Sequence, residues 1–325
     1  MKINEIGEFG LIGRIAERFK SLIPQGWEGI GDDCAVIPWG NDRSLAVTTD
    51  LLVENVHFLR ERITPYDLGY KSLAVNLSDV AAMGAKPVAT FLSLGLPAGT
   101  VGVEWCDAFF EGYRSFGVPL LGGDTTSSPE GIVINITVLG LAENWRIKRR
   151  NAARAGDLIA VTGPLGDSAA GLQAILQHLP PDADTEELIR RHHCPRPHLA
   201  EGEWLGAQES VRAMMDVSDG VASDLLHILR ASSLAATVRA NDIPVSPLLR
   251  KTAARKGWDV LEMALAGGED YVLLLTVDPA HINDLQKRFA ERFGHPLYVI
   301  GECRTGDPEI SYRDTASHFT GFKHF

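Results

Sequence analysis

Short β-branched segments alternate with longer stretches whose apolar residues recur at helical spacing. Strands are predicted at residues 45–47, 132–141, 158–163 and 272–277, which are short and bounded by glycine, proline or polar residues. Helices are predicted at 65–83 and 105–115. Two more are predicted to open within GPLGDSAAGLQAILQHL and near Val221. Strands and helices in mixed order predict an α/β or α+β fold.

The length of the chain predicts two domains. The chain has 325 residues, whereas an ordinary domain has roughly 100–200. A basic, small-residue stretch, RIKRRNAARAGD, precedes a new strand. The boundary is therefore placed here, giving domains 1–147 and 148–325.

Composition and charge exclude several classes of protein. With 45% apolar and 22% charged residues, and no apolar run near the ~20 residues that span a bilayer, we expect no membrane segment. The N-terminus has no basic segment followed by an apolar core, so we expect a cytoplasmic protein. The net charge of −11 disfavours binding to nucleic acid or to an anionic membrane. Four dispersed cysteines without a CxxC pair are expected to be buried thiols.

Six clusters combine acidic residues with glycine, serine or threonine. They are GIGDD (29–33), TTD (48–50), NLSD (76–79), GGDTT (122–126), DVSDG (216–220) and GGEDY (267–271). Glycine lets the backbone approach a phosphate, and carboxylates are hard oxygen ligands for magnesium. TTD is expected at the carboxyl end of its strand, facing a ligand crevice, and GGDTT is expected to form a phosphate-binding loop.

Each cluster also has a structural interpretation. A GDD segment is commonly a solvated turn, TTD and Asp219 could cap helices, and Asp79 could be a buried hydrogen-bonding group. A single histidine such as His57 is more often a packing or surface residue than a ligand. A single cluster is weak evidence for a functional site, and the functional interpretation depends on all six occurring in one chain.

The chemistry that the six clusters share is that of phosphate and magnesium. The sequence contains no Walker A pattern, no GxGxxG and no HRD/DFG pair, and the clusters contain no serine–histidine triad. Phosphoryl transfer requires alignment and neutralisation of charge, which magnesium ions held by carboxylates supply. The residues alone indicate magnesium-dependent phosphate chemistry and do not identify the substrate.

The ordered set of these phrases resembles a known family. GIGDDCAV, TTDLLVENVHF, KSLAVNLSDVAAMGA, LLGGDTT, GDSAAGL, DVSDGVASDL and GGEDY occur in this order, and together they are similar to the thiamine-monophosphate kinase family of the aminoimidazole ribonucleotide synthetase superfamily. The resemblance spans roughly residues 7–271. It implies an N-terminal α+β domain that dimerises through its sheet, a C-terminal α/β domain, and ATP bound between them.

The resemblance also implies the activity and the residues of the site. The implied reaction is direct in-line phosphorylation of thiamine monophosphate by ATP with several Mg²⁺ ions and no general base; a monovalent cation is left open. The implied metal ligands are Asp33, Thr48, Thr49, Asp50, Asp79, Asp124, Asp216 and Asp219. The implied ATP contacts are Gly123, Asp124, Arg150 and Ser218. The implied substrate contacts are His57, Glu269 and Phe319, the last at a position where the family often has tryptophan.

Two other functions compete with this prediction. Aminoimidazole ribonucleotide synthetase, selenophosphate synthetase and hydrogenase maturation proteins share the scaffold, although no cysteine precedes Cys34 to serve as the reactive residue of a selenophosphate synthetase. A non-catalytic nucleotide-binding dimer would be expected to have lost ligand acids, and all eight positions are retained.

Overall fold

The structure is a computed structural model that describes residues 3–180 and 182–321. Its first half contains three α-helices and five strands among the described residues. Their bounds are α1 Ile3–Phe19, β1 Ala35–Pro38, β2 Arg43–Val53, α2 Pro65–Ala82, β3 Lys86–Leu96, α3 Val103–Arg114, β4 Leu120–Ser127 and β5 Val133–Glu143. The strands form one sheet in the order β1-β2-β5-β3-β4.

Helix α2 is the central element of this half. The Thr64 side chain caps it by accepting a hydrogen bond from the Asp67 backbone N–H (3.0 Å), and Pro65 occupies its first turn. The helix packs against β2, β5, α3 and, in the second half, strand β7 (Val211–Asp216). These contacts explain why α2 has buried residues on nearly all of its faces. The predicted helix at 65–83 is confirmed to within one residue.

The second half contains the remaining elements of the described chain. Their bounds are β6 Leu158–Val161, α4 Asp167–Leu176, α5 Ala183–His193, α6 Leu199–Gly206, β7 Val211–Asp216, α7 Val221–Ser232, β8 Ala235–Arg239, α8 Pro247–Lys256, α9 Val260–Ala266, β9 Leu273–Val277, α10 Ile282–Phe293, β10 Tyr298–Arg304 and β11 Ile310–Arg313. The strands form a second sheet in the order β11-β8-β10-β6-β9-β7. The expected mixed α/β architecture is confirmed.

The two halves share a buried apolar layer. Ala81 and Ala82 at the end of α2 pack in one cluster with Leu205 of α6 and Leu275 of β9. Glycine makes the close approach possible, because a Cβ on Gly202 would lie 2.3 Å from the Ala81 carbonyl oxygen. The halves therefore meet over a packed contact. The boundary at 147 and 148 stays a prediction.

Two predictions about strands are wrong. The TTD segment does not end its strand, because β2 continues to Val53, paired with β5 as far as Val133. The GGDTT segment is not a loop: it belongs to β4, which pairs in parallel with β3. Gly123 permits this pairing, since a Cβ there would lie 1.7 Å from the Leu92 carbonyl oxygen.

The N-terminal sheet has one face packed on α2 and one open face. Along β2, buried and more exposed positions alternate, so Thr48 points inward and Thr49 outward. Leu51, Phe91 and Leu121 are exposed apolar residues of this sheet.

Burial of the cysteines follows the prediction in part. Cys34 and Cys303 are buried, whereas Cys106 and Cys194 are only half-buried, and all four are free thiols within the described residues. None of the described helices combines the length and the apolar character needed to cross a bilayer.

Candidate functional site

A cavity of about 520 Å³ lies between the two halves of the chain. That volume falls within the range of small-molecule sites. One end is acidic and the other apolar. The acidic end is lined by Asp50, Asp79, Asp216 and Asp219, and the apolar end by Val56, Phe58, Leu59, Ile63, Leu172, Ile175 and Leu176.

Three carboxylates converge at the acidic end. Asp33, Asp79 and Asp216 each offer an oxygen atom within 4.8 Å of the others. They come from the segment before β1, the last turn of α2 and the end of β7. Asp79 also accepts a hydrogen bond from Thr48 of β2, and the backbone N–H of Asp50 donates to Asn76 Oδ1 of α2 (2.9 Å). The cluster thus joins both halves of the molecule.

Burial and mutual repulsion raise the pKa values of these acids. Burial, followed by the charge of Asp33, raises the pKa of Asp216 to about 8 and that of Asp50 to about 6. Burial and the neighbouring Asp50 and Asp216 hold the pKa of Asp79 well above its usual value. Several buried carboxylates in one place are costly unless a cation lies among them.

The acid cluster fits magnesium. Its donors are carboxylate and hydroxyl oxygens, the hard ligands that Mg²⁺ prefers. Asp33 Oδ2 is buried without a hydrogen-bond partner among the described residues, which leaves an oxygen directed at no protein donor. A divalent cation would satisfy this oxygen and offset the repulsion between the acids.

Arg150 lies next to the acid cluster. Its guanidinium pairs with Asp33, and its Nε lies 3.6 Å from Asp32 Oδ1. Its backbone N–H donates to Asp32 Oδ2 (3.0 Å). Burial acts to lower the pKa of Arg150, but the charges of Asp33 and Asp32 outweigh it and raise that pKa. A fixed cation beside the acids is suited to a polyphosphate.

His57, from the N-terminal half, and Glu269, from the C-terminal half, both border the cavity. The backbone N–H of Val53 donates to His57 Nδ1 (3.0 Å). Glu269 has φ of 54°, a left-handed conformation that non-glycine residues adopt only when neighbours enforce it. Its backbone N–H donates to the Ser218 carbonyl (2.7 Å). Ser218 also lines the cavity.

Four residues of the predicted site lie elsewhere. Thr49 points to the open face of the N-terminal sheet, where its hydroxyl donates to the Ile136 carbonyl (3.0 Å). Gly123 and Asp124 lie on the exposed edge strand β4. Phe319 is buried in the C-terminal core, with its ring 5.0 Å from that of Tyr312. The C-terminal core stabilises the apolar ring of Phe319, which is therefore not among the residues that line the cavity.

The sequence interpretation assigned no individual role to three polar residues at the site. Asp32 holds Arg150, and burial, together with Asp33, raises its pKa to about 7 against the opposing charge of Arg150. Lys71 and His192 line the cavity. A signal existed for Lys71, since it precedes Val75 and Asp79 at intervals of four on an otherwise apolar helix.

Comparison with known proteins matches both halves of the chain to one family. AIR synthase related protein, N-terminal domain, matches residues 31–142, and AIR synthase related protein, C-terminal domain, matches residues 154–312. A thiamine-monophosphate kinase of Salmonella typhimurium is 38% identical over 330 residues, covering 98% of each chain.

Two solved structures are similar over nearly the whole chain. The structure of AaThiL complexed with AMPPCP and TMP has a TM-score of 0.87 and 32% identity, covering 100% of this chain and 99% of that chain. A thiamine-monophosphate kinase from Stenotrophomonas maltophilia has a TM-score of 0.78 and 36% identity, covering 94% and 96% of the two chains.

Proposed function

Because the chain belongs to the thiamine-monophosphate kinase family, we propose that it transfers the γ-phosphoryl group of ATP to thiamine monophosphate, giving thiamine diphosphate and ADP. This would be the last step of thiamine diphosphate synthesis. The structure of AaThiL with AMPPCP and TMP supports the choice of both substrates over those of the sister families.

One observation carries the proposal: the acid cluster lies between an arginine and the cavity. On one side Arg150 pairs with Asp33, and on the other Asp79 and Asp216 line the cavity. A polyphosphate bound at Arg150 and a phosphate bound in the cavity would therefore meet at the acids. Two phosphates can meet there only if cations separate their charges.

The cavity has the mixed acidic and apolar lining that thiamine monophosphate would need. Its apolar end, with Val56, Leu172 and Leu176, would pack against the heteroaromatic rings and exclude water. His57 and Glu269 would contact the substrate between the two ends. The substrate's phosphate would then point toward the acids.

Magnesium ions would be held by Asp33, Asp50, Asp79 and Asp216, with Thr48 and Asp219 beside them. Bound there, they would neutralise charge on the transferring phosphoryl group. The protein's own residues align the two phosphates, with Arg150 and Ser218 on the ATP side.

The transfer itself needs no general base. A phosphate oxygen of thiamine monophosphate forms the new bond to the γ-phosphorus in line with the bond to ADP, which breaks. The attacking oxygen carries no proton that must be removed, so no residue is assigned to that role. Whether a monovalent cation assists is a further question for the same assay.

The active form is proposed to be a homodimer that joins the open faces of two N-terminal sheets. Asp50 is in register with Ile136, Leu92 and Gly123 across β5, β3 and β4. At ~4.8 Å per strand, Asp124 lies roughly 14 Å from Asp50. At that distance Asp50 and Asp124 of one chain cannot bind the same ion. A second copy would therefore supply Gly123 and Asp124 to the site.

Two further expectations accompany this function. The open face carries exposed Leu51 and Phe91, which a second copy would cover. A kinase that draws on the ATP pool is expected in the cytoplasm.

The test is an assay of purified protein with ATP, Mg²⁺ and thiamine monophosphate, with nucleotides and thiamine phosphates separated chromatographically. Equal amounts of thiamine diphosphate and ADP are expected. Free thiamine and formylglycinamidine ribonucleotide serve as parallel substrates. If ADP forms only with the ribonucleotide, the chain acts as a sister enzyme and the proposal is rejected.

A further inference from the structure

A buried lysine holds one wall of the cavity together. Lys71 lies on α2 with only 1% of its side chain exposed, and its Nζ is 3.1 Å from Glu269 Oε2. The same Nζ lies 3.4 Å from His192 Nε2 on α5. Lys71 therefore connects the N-terminal half to two segments of the C-terminal half.

The protonation states of Lys71, His192 and Glu269 agree with the contacts that these residues make. Burial, followed by the charge of Lys71, holds the pKa of His192 well below its usual value, so the ring is neutral near pH 7. Its Nε2 can then accept from the Lys71 ammonium, and its Nδ1–H lies within reach of Glu269 Oε2 (3.2 Å) and Ser168 Oγ (3.0 Å). The single Nδ1 proton has Ser168 Oγ as its hydrogen-bond partner, so Lys71 is the residue that donates to Glu269 Oε2.

Lys71 borders the cavity but offers a ligand almost no surface of its own. Lys71 is almost fully buried, whereas 28% of the Glu269 side chain is exposed. The more exposed Glu269 is therefore the residue through which Lys71 is expected to act on a ligand. The backbone of that residue is already constrained, with φ of 54° and its N–H bonded to the Ser218 carbonyl.

We propose that Lys71 is a positioning residue for the phosphate-accepting substrate: it anchors Oε2 of Glu269, so that the remaining carboxylate edge faces the substrate in one orientation. The inference rests on the proposed function, in which Glu269 contacts thiamine monophosphate. It adds that Lys71, on α2 in the N-terminal half, fixes the orientation of Glu269 in the C-terminal half.

A double-mutant cycle tests this proposal. We expect Lys71→Met to raise the KM for thiamine monophosphate about tenfold, the size expected for a charge-assisted hydrogen bond, and to change the KM for ATP less than twofold. Glu269→Gln should raise the KM for thiamine monophosphate at least as much. The double variant should be no worse than Glu269→Gln alone, because Lys71 acts only through Glu269.

Lys148→Met is the matched control. Lys148 is also buried, and its Nζ donates to the Gln208 and Val211 carbonyls (2.9 Å each) away from the cavity. Its removal should lower the melting temperature and leave the KM for thiamine monophosphate unchanged. If Lys71→Met does not fold, Lys71→Gln, which keeps an N–H donor, replaces it with a smaller expected rise.

Different results would reject the role of Lys71 and the proposed kinase activity. Independent, multiplying effects of the two substitutions, or an unchanged KM for thiamine monophosphate in the Lys71 variant, would overturn the role of Lys71 while the wild-type kinase activity stands. A wild-type protein that forms no thiamine diphosphate would instead reject the function itself.

Discussion

Replacement of Asp216 by asparagine is predicted to stabilise the metal-free protein. Asp216 is 2% exposed at the end of β7, and burial, then Asp33, raises its pKa from 3.8 to about 8. In the unfolded chain the group is ionised at pH 7, so folding must protonate it or bury its charge. With about 1.36 kcal/mol per pKa unit, this costs at most about 4 kcal/mol at pH 7.

The Asp216→Asn variant removes that cost and also removes a proposed metal ligand. In EDTA its melting temperature should exceed that of the wild type by about 5–10 °C, which is the shift that a few kcal/mol produces in a chain of this size. In millimolar Mg²⁺ the order should reverse. The wild type gains binding free energy, about 2.7 kcal/mol when the free ion is at 100 times its Kd, whereas the variant gains less.

Thermal unfolding followed by circular dichroism, with and without EDTA, measures both effects. Asp278→Asn is the control, because the pKa of Asp278 is lowered by the Ala280 backbone N–H and by Arg212. Neutralising it should lower the melting temperature in both buffers. The reasoning is refuted if Asp216→Asn melts below the wild type in EDTA and responds equally to Mg²⁺.

Three further predictions follow from the same contacts. In EDTA, stability should fall as the pH rises from about 4 to about 8, since the folded pKa values of Asp50 (about 6), Asp32 (about 7) and Asp216 (about 8) exceed the unfolded value of 3.8; a flat melting profile would contradict this. Arg150→Met should raise the KM for ATP by roughly tenfold or more but change the KM for thiamine monophosphate little; an equal rise in both would place Arg150 outside a nucleotide site. Phe91→Asp, on the open face of the N-terminal sheet, should yield monomers in sedimentation velocity and reduce turnover; a fully active monomer would reject the shared site.

Local patterns in the sequence predicted much of the fold. Helix α2 followed from its apolar spacing and from the glycine and proline after it, and the short apolar strands β6 and β9 stood between clear turn signals. The continuation of β4 through GGDTT was missed because that segment has low strand propensity. Its pairing with β3 depends on Gly123 approaching Leu92, a contact that only the tertiary structure reveals.

The site was predicted in composition but not in arrangement. The acids at positions 33, 79 and 216 are far apart in sequence, and their convergence depends on α2 lying between the two sheets. Lys71 was overlooked, although its spacing from Asp79 places both residues on one face of α2. Phe319 was assigned to the cavity by resemblance, but the packing energy of the C-terminal core determines its position.

Single-turnover transfer of label from [γ-³²P]ATP tests the central claim most directly. After rapid quenching of enzyme, ATP, Mg²⁺ and thiamine monophosphate, the account predicts that label appears in thiamine diphosphate at the rate at which ADP forms, with none on the protein. It further predicts that EDTA abolishes the transfer. Label found on the protein before the product, or only in inorganic phosphate, would contradict direct transfer between two substrates aligned at the acid cluster.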